Sequence, residues 1–387
     1  ITDLDHSGVK WDNLLDDNTA LQGAVTSASV FGALLSSVLV FKIADDIGRK
    51  MEMVVGSGLY AVGALIEAIS AQPGWDANLG ITVLIIGRVI YGCGIGFAMH
   101  GAPAYIGEMS PANIRGLLVS LKEAMIVLGM LLGYLVGYLF ADVNGGWGYT
   151  YGVAIIPAFI MGFGSLFVLK DSARWLYLRN RHEEAKDSLR WVYPPELAEA
   201  AYTAISDQTE DIRRASVSKD RDSSPLLKTE SNSIEEGEGV DKSVWAPRFR
   251  PALIAGIGLV FLQQLTGQPS VLYYAAGIFQ DAGLDAVASV GVAAFKLVMT
   301  LFAVATVDKY GRTVLLYTGI SVMLVALVTL AIAFSYMPEP SDDDSTKAVT
   351  TTQGIVLGAM FVYIGGYQIG FGPISWLLIS EVKIEYL

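Results

Sequence analysis

The chain has 387 residues, of which 53% are hydrophobic and only 17% charged, with 41 glycines and a mean hydropathy of +0.48. Soluble domains carry about 25% charged residues, so the composition excludes a soluble enzyme and predicts a polytopic membrane protein. Much of the acid behind the net charge of -12 lies in hydrophilic loops such as Asp342-Asp343-Asp344 and Glu235-Glu236, so the charge by itself argues neither for an acidic ligand nor against nucleic acid. No nucleic-acid partner is expected of a polytopic membrane protein of this kind. Cys93 is the one cysteine, so no intrachain disulfide can form. His6, His100 and His182 lie far apart with no ligand spacing, and neither a metal nor a cofactor is expected.

Residues 1–18 are polar and acidic, with neither a leading methionine nor a signal peptide, and the expectation is that the N-terminus is missing. Apolar runs follow at 19–42, 52–71, 80–100, 116–140, 149–169, 250–280, 286–307, 314–336 and 353–379. Each is near the length of about 20 residues that crosses a bilayer as a helix. Lys42, Arg49, Lys50, Arg115, Lys309 and Arg312 fall in one alternate set of connections, whereas 72–79, 141–148 and 281–285 hold no Lys or Arg. The basic set is therefore expected on the cytoplasmic side.

Segment 170–249 is the one large hydrophilic insertion. Arg174 to Ala201 is expected to form amphipathic surface helices. Ser216 to Lys242 is rich in Ser, Asp, Glu and Gly, and is expected to stay disordered because it has little apolar surface to bury. The insertion divides the chain into membrane halves at 1–169 and 250–387. An internal repeat supports the division: Asp45-Asp46-Ile47-Gly48-Arg49-Lys50 and Asp308-Lys309-Tyr310-Gly311-Arg312-Thr313 each follow an inward-running span. Two parallel halves with matching loops is the layout of the major facilitator fold.

Within the run 250–280 stand Gln263, Gln264 and Gln268, with Thr266, Gly267 and Pro269 loosening the helix around them. Carboxamides are costly in hydrocarbon unless they face protein or a cavity, and they both donate and accept, which suits a neutral polyhydroxylated ligand. Helix–helix glue is the competing role. Gly92, Gly94 and Gly96 lie inside an apolar run with no strand before them, so close helix packing is expected rather than a dinucleotide loop. Arg88 also lies inside a span, and an intramembrane arginine faces an acid or a cavity.

Seven stretches in order carry a family resemblance: Asp46 to Lys50; Gly87-Arg88 with the three glycines; Pro103-Ala104-Tyr105 to Glu108; Arg174-Trp175-Leu176; Gln263 to Gly267; Asp308 to Arg312; and Gly372-Pro373-Ile374-Ser375-Trp376 to Glu381. The chain resembles the sugar porter family of the major facilitator superfamily. Its wording at His100 to Pro103, Gly267 to Tyr274 and Tyr367-Gln368 looks most like the plant-type vacuolar and plastidic glucose or xylose–proton symporter-like branch. The resemblance implies an all-α membrane protein with about nine of the family's twelve helices, the first and the last two being absent.

It further implies sugar contacts from Gln263, Gln264, Gln368 and Trp376, with Glu123 and Lys296 standing where relatives place Gln and Asn against the sugar. Those two charges are expected to pair across the cavity or to bond sugar hydroxyls. Asp46, Arg49, Glu108, Arg115, Asp308, Arg312 and Glu381 match members of a cytoplasmic gating network. Arg88 is the proton-coupling candidate, its expected partner an aspartate on the absent first helix. Lys170 to Leu176 lacks both prolines of the family pattern, so that stretch supports membership alone. The function expected is monosaccharide transport by alternating access, coupled to protons, by a monomer in a lipid bilayer and without enzymatic chemistry. An uncoupled facilitator, a sugar sensor signalling through 170–249 and an inactive fragment stay open as alternatives, as does the identity of the membrane.

Overall fold

A computed structural model describes residues 18–70, 75–111, 114–141, 143, 145–222, 250–268, 287–336 and 351–385. Fourteen α-helices account for nearly all of them. The first half contains α1 (Thr19–Ile47), α2 (Arg49–Ile69), α3 (Ala77–Met109), α4 (Arg115–Leu139), α5 (Gly146–Val153) and α6 (Ile155–Phe163), the last running into a π-turn at Gly164–Val168. Three surface helices follow: α7 (Ala173–Leu178), α8 (His182–Val192) and α9 (Pro195–Asp222). The rest comprises α10 (Arg250–Leu265), α11 (Val287–Tyr310), α12 (Arg312–Ser335), α13 (Thr351–Gly370) and α14 (Gly372–Glu385). Eight stretches among the described residues are long and apolar enough to span a membrane. The sixth predicted span is represented by the shorter apolar stretch Gly256–Leu265, its predicted continuation through Pro269 lying outside the described residues.

Small residues decide how the helices pack. Gly92 sits against the Ser29 carbonyl and Gly96 against Ser36, so that α3 touches α1 with no room for a side chain at either position. On the adjacent face, a Cβ on Gly94 would lie 2.9 Å from the Gly56 carbonyl oxygen of α2. All three glycines thus serve close helix approach, as their apolar setting predicts. The second half repeats the device, with Gly319 of α12 against Gly370 and Gly366 of α13.

The loop repeat is present in the backbone. Gly48 has φ 80° and ψ 157°, and Gly311 has φ 80° and ψ 156°. This region of conformational space is essentially reserved for glycine, so each half uses the same residue to turn one helix into the next. At the same end, α7, α8 and α9 cover the first half through an apolar cluster that includes Met53, Met109, Ala173, Leu189 and Ala198.

The expectation of disorder from Ser216 fails at its start, because α9 continues through Asp222. No Gly or Pro interrupts residues 196–222, and Glu210 and Arg214 keep helix-favouring i,i+4 spacing. The remainder of the predicted disordered stretch lies outside the described residues.

The two membrane regions meet where α4 packs against α11 and α14. Toward the end of that seam that bears the basic loops, a Cβ on Gly116 of α4 would lie 3.3 Å from Leu377 of α14.

Candidate functional site

Two helix breaks shape the seam. α10 stops at Leu265, and Gly267 takes φ 76°. The Thr266 carbonyl beyond the last helical turn accepts the Tyr363 hydroxyl at 2.7 Å, so a freed backbone acceptor is satisfied from α13. α13 in turn stops at Gly370, and α14 restarts at Gly372-Pro373. Proline is compatible with a first helical turn because its missing N–H is one the helix does not need there. The restart places Trp376 on the seam.

The buried polar groups converge from four helices. Gln263 is buried and its Nε2 donates to the Tyr367 hydroxyl at 3.0 Å. Gln368 is fully buried, and its Nε2 donates to Thr300 Oγ1 at 2.5 Å. The Gln368 Oε1 is buried with no hydrogen-bond partner among the described residues. Glu123 of α4 accepts the Trp376 indole N–H at 3.1 Å, joining the two halves directly. Lys122 places its ammonium 3.4 Å from the centre of the Trp376 ring, a cation–π contact across the same seam. Lys296 is 5% exposed, and its Nζ lies 4.0 Å from Met130 Sδ, again across the seam.

Glu123 therefore sits between two lysines rather than in a simple pair. Lys296 and Lys122 both act on it electrostatically, but its hydrogen bond goes to Trp376. Trp376 thus gives its N–H and one ring face to protein groups. Gln264, one residue beyond Gln263, is exposed, and Gln268 is buried. Lys122 and Thr300 escaped the sequence reading. The signal for Lys122 was present, since a second charge beside Glu123 inside a span is itself costly; Thr300 has no signal apart from its neighbour in space.

Arg88 donates to the Tyr151 hydroxyl at 2.6 Å, and its Nε is buried with no hydrogen-bond partner among the described residues. Glu67 of α2, 3% exposed, is the acid that acts on it. A Cβ on Gly87 would lie 2.9 Å from Glu67 Cγ, so glycine at that position makes room for the carboxyl. An intramembrane acid such as Glu67 is legible by type, because charges inside spans are rare.

At the end bearing the basic loops, Arg49 is the hub. It reaches Asp45 at 3.3 Å, Glu52 at 3.1 Å and Glu108 at 3.3 Å. Glu108 also accepts the Ser172 hydroxyl. Asp46 pairs with Arg179 at 2.7 Å. Arg115 donates to the Ser110 carbonyl at 3.2 Å, within its own loop. Arg312 opens α12 behind Gly311, while the side chains of Asp308 and Glu381 lie outside the described residues. Glu52 and His100, bonded at 2.7 Å, belong to this cluster and were not foreseen.

Two bodies of membrane-spanning helices, a polar seam between them and an ion-pair cluster at the end bearing the basic loops are the layout of a membrane transporter of the major facilitator type. The sequence profile described as "Sugar (and other) transporter" matches residues 5–385, and the chain belongs to that family. It is an integral, multi-pass membrane protein. It is 38% identical over 390 residues to D-xylose-proton symporter-like 2 of Arabidopsis thaliana, covering 97% of this chain and 69% of that one. It is 39% identical over 386 residues to the same plant's chloroplastic D-xylose-proton symporter-like 3, covering 97% of this chain but only 63% of that relative. Among solved structures, the proton:xylose symporter XylE bound to 6-bromo-6-deoxy-D-glucose superposes with a TM-score of 0.76 at 25% identity, covering 94% of this chain and 72% of that one.

Proposed function

We propose that the protein to which this chain belongs moves a monosaccharide, a hexose or xylose, across a membrane by alternating access, coupled to protons. The observation that carries this reading is the Gln368 Oε1, a buried acceptor with no hydrogen-bond partner among the described residues, on a side chain bonded to Thr300 of the seam helix α11. An unmet buried acceptor costs about 1–3 kcal/mol, and a sugar hydroxyl arriving in the seam would satisfy it. Gln263, Trp376, Glu123 and Lys296 stand around the same seam, and Gln264 completes the proposed set from its exposed position.

The moving bodies are 1–169 and 250–387, with 170–249 between them on the inner side. Alternating access requires contacts that one state makes and the other breaks. Glu123–Trp376 and Gly116–Leu377 are contacts of this kind between the two bodies. Proton coupling is proposed from the likeness to the D-xylose-proton symporter-like proteins together with Arg88, whose buried Nε lies in a span under the influence of Glu67. The unit of transport is a monomer, and no bond of the sugar is made or broken.

Counterflow of radiolabelled D-glucose and D-xylose in liposomes bearing the full-length protein tests the reading. The wild type should exchange at least one of them, and accumulate it against its gradient when the outside is made acidic. Saturable sugar binding without counterflow would identify a sensor instead, and counterflow without acid-driven accumulation would identify an uncoupled carrier.

A further inference from the structure

His100 of α3 and Glu52 of α2 belong to the ion-pair cluster around Arg49 and not to the polar seam. Glu52 has no exposed surface. Its Oε2 lies 2.7 Å from His100 Nδ1, and its Oε1 accepts Arg49 Nη1 at 3.1 Å. Gly101, next to His100, leaves the space that Glu52 fills, since a Cβ there would lie 3.0 Å from Glu52 Cβ. Phe41 of α1 closes the other side, its ring centre 5.6 Å from that of His100. The imidazole keeps 27% of its side-chain surface open, whereas the Glu52 side chain has none.

The surrounding charges give the pair a direction of action. Glu52 and Arg49 come from α2, Asp45 from α1 and Glu108 from α3 itself. Three carboxylates share one guanidinium, so the cluster carries excess negative charge whenever His100 is neutral. A proton on His100 offsets part of that excess and leaves Arg49 better able to hold Glu108, and through it Ser172. Histidine is the side chain whose charge changes within the physiological range.

We propose that His100 and Glu52 form a proton-binding pair that sets how firmly the Arg49–Glu108 latch holds α2 and α3 to the segment leading into α7. The pair binds one proton at the imidazole, with Glu52 as the acceptor for Nδ1–H in both states. Acid on the inner side tightens the latch, and neutral or alkaline conditions loosen it. His100 is thus a positioning residue acting through Glu52 and Arg49. The inference rests on the transport reading for its consequence, and on geometry alone for the proton site.

The test uses the full-length protein in liposomes, with the inner-side pH varied between about 5 and 8 and counterflow of whichever sugar the wild type carries as the readout. Wild-type exchange should rise at least about fivefold from the acid to the alkaline limit. His100→Gln keeps an amide donor for Glu52 but cannot take the proton, so its profile should be flat. A His100→Gln variant that keeps the wild-type profile overturns the proposal. If that variant does not fold, Glu52→Gln decides: it removes the acceptor for the imidazolium, and an unchanged profile again overturns the pair. Nitrogen NMR of the imidazoles in the purified wild type needs neither transport nor a variant. A His100 that never gains a proton across the window overturns the proposal there too. A wild type that exchanges no sugar overturns the transport reading, and the NMR titration then judges the proton site by itself.

Discussion

Glu123 carries more than its spacing announces. From the sequence it is expected to pair with Lys296 or to bond sugar hydroxyls; in the structure it accepts the Trp376 indole N–H and lies in the field of Lys122 as well. Removing its charge leaves two buried ammonium groups without their acid, whereas removing Lys296 leaves Lys122 still to balance Glu123. Glu123→Gln is therefore expected to cost more than Lys296→Asn, and the double variant should recover part of the loss. The coupling should fall in the range of about 0.5–3 kcal/mol found for residues in one network. Thermal unfolding of the four purified proteins, with counterflow rates beside it, measures both claims. If Lys296→Asn is the more damaging change, or if the effects simply add, the three-charge arrangement is wrong. The acid and one lysine were legible because intramembrane charges are rare. The indole as Glu123's partner was not, since residues in different halves meet only through the fold.

At the scale of elements, Gly48 and Gly311 separate what a repeat fixes from what its surroundings add. Both take a backbone conformation that costs other residues about 1–3 kcal/mol, and that equivalence was readable from matching hexapeptides. Gly48 bears a second constraint. Its Cβ would lie 2.9 Å from the Trp175 indole, while nothing among the described residues lies within 4 Å of the one on Gly311. Trp175 is fixed there by its Nε1 donating to the Asp45 carbonyl at 2.7 Å, so the ring cannot swing away without losing that bond. Gly48→Ala should thus lower stability by about 1–3 kcal/mol more than Gly311→Ala, the usual cost of overpacking. Paired thermal melts read the difference, and equal losses would show that the indole yields freely. Helix identity and order were legible throughout because spans this apolar have one use. The extent of α9 past Ser216 was not: its composition reads as unable to pack, while its lack of helix breakers lets the backbone continue.

For the whole molecule, the cluster around Arg49 is proposed to bear on which end of the seam is open. Glu108 serves both Arg49 and Ser172, tying α2 and α3 to the chain leading into α7. Farther along the same end, Gly116 of α4 meets Leu377 of α14, where the two bodies touch. If the first set of contacts supports the second, weakening one should open the other. Glu108→Gln keeps the shape and removes the charge, which forfeits part of the about 1.5–3 kcal/mol of a charge-assisted hydrogen bond. Because Glu108 is 15% exposed at its side chain, solvent screening reduces that figure. A shift of about 1.4 kcal/mol changes an equilibrium tenfold, so the inward-open population should rise a few-fold, up to that limit. The reporter is a Gly116→Cys substitution in a Cys93→Ser background, labelled from the inner side with an impermeant maleimide. Labelling should quicken when Glu108→Gln is added and slow again when sugar is trapped from outside. Unchanged labelling would mean that the Arg49 cluster anchors the surface helices alone and leaves the seam to other contacts, Glu123 with Trp376 foremost among them.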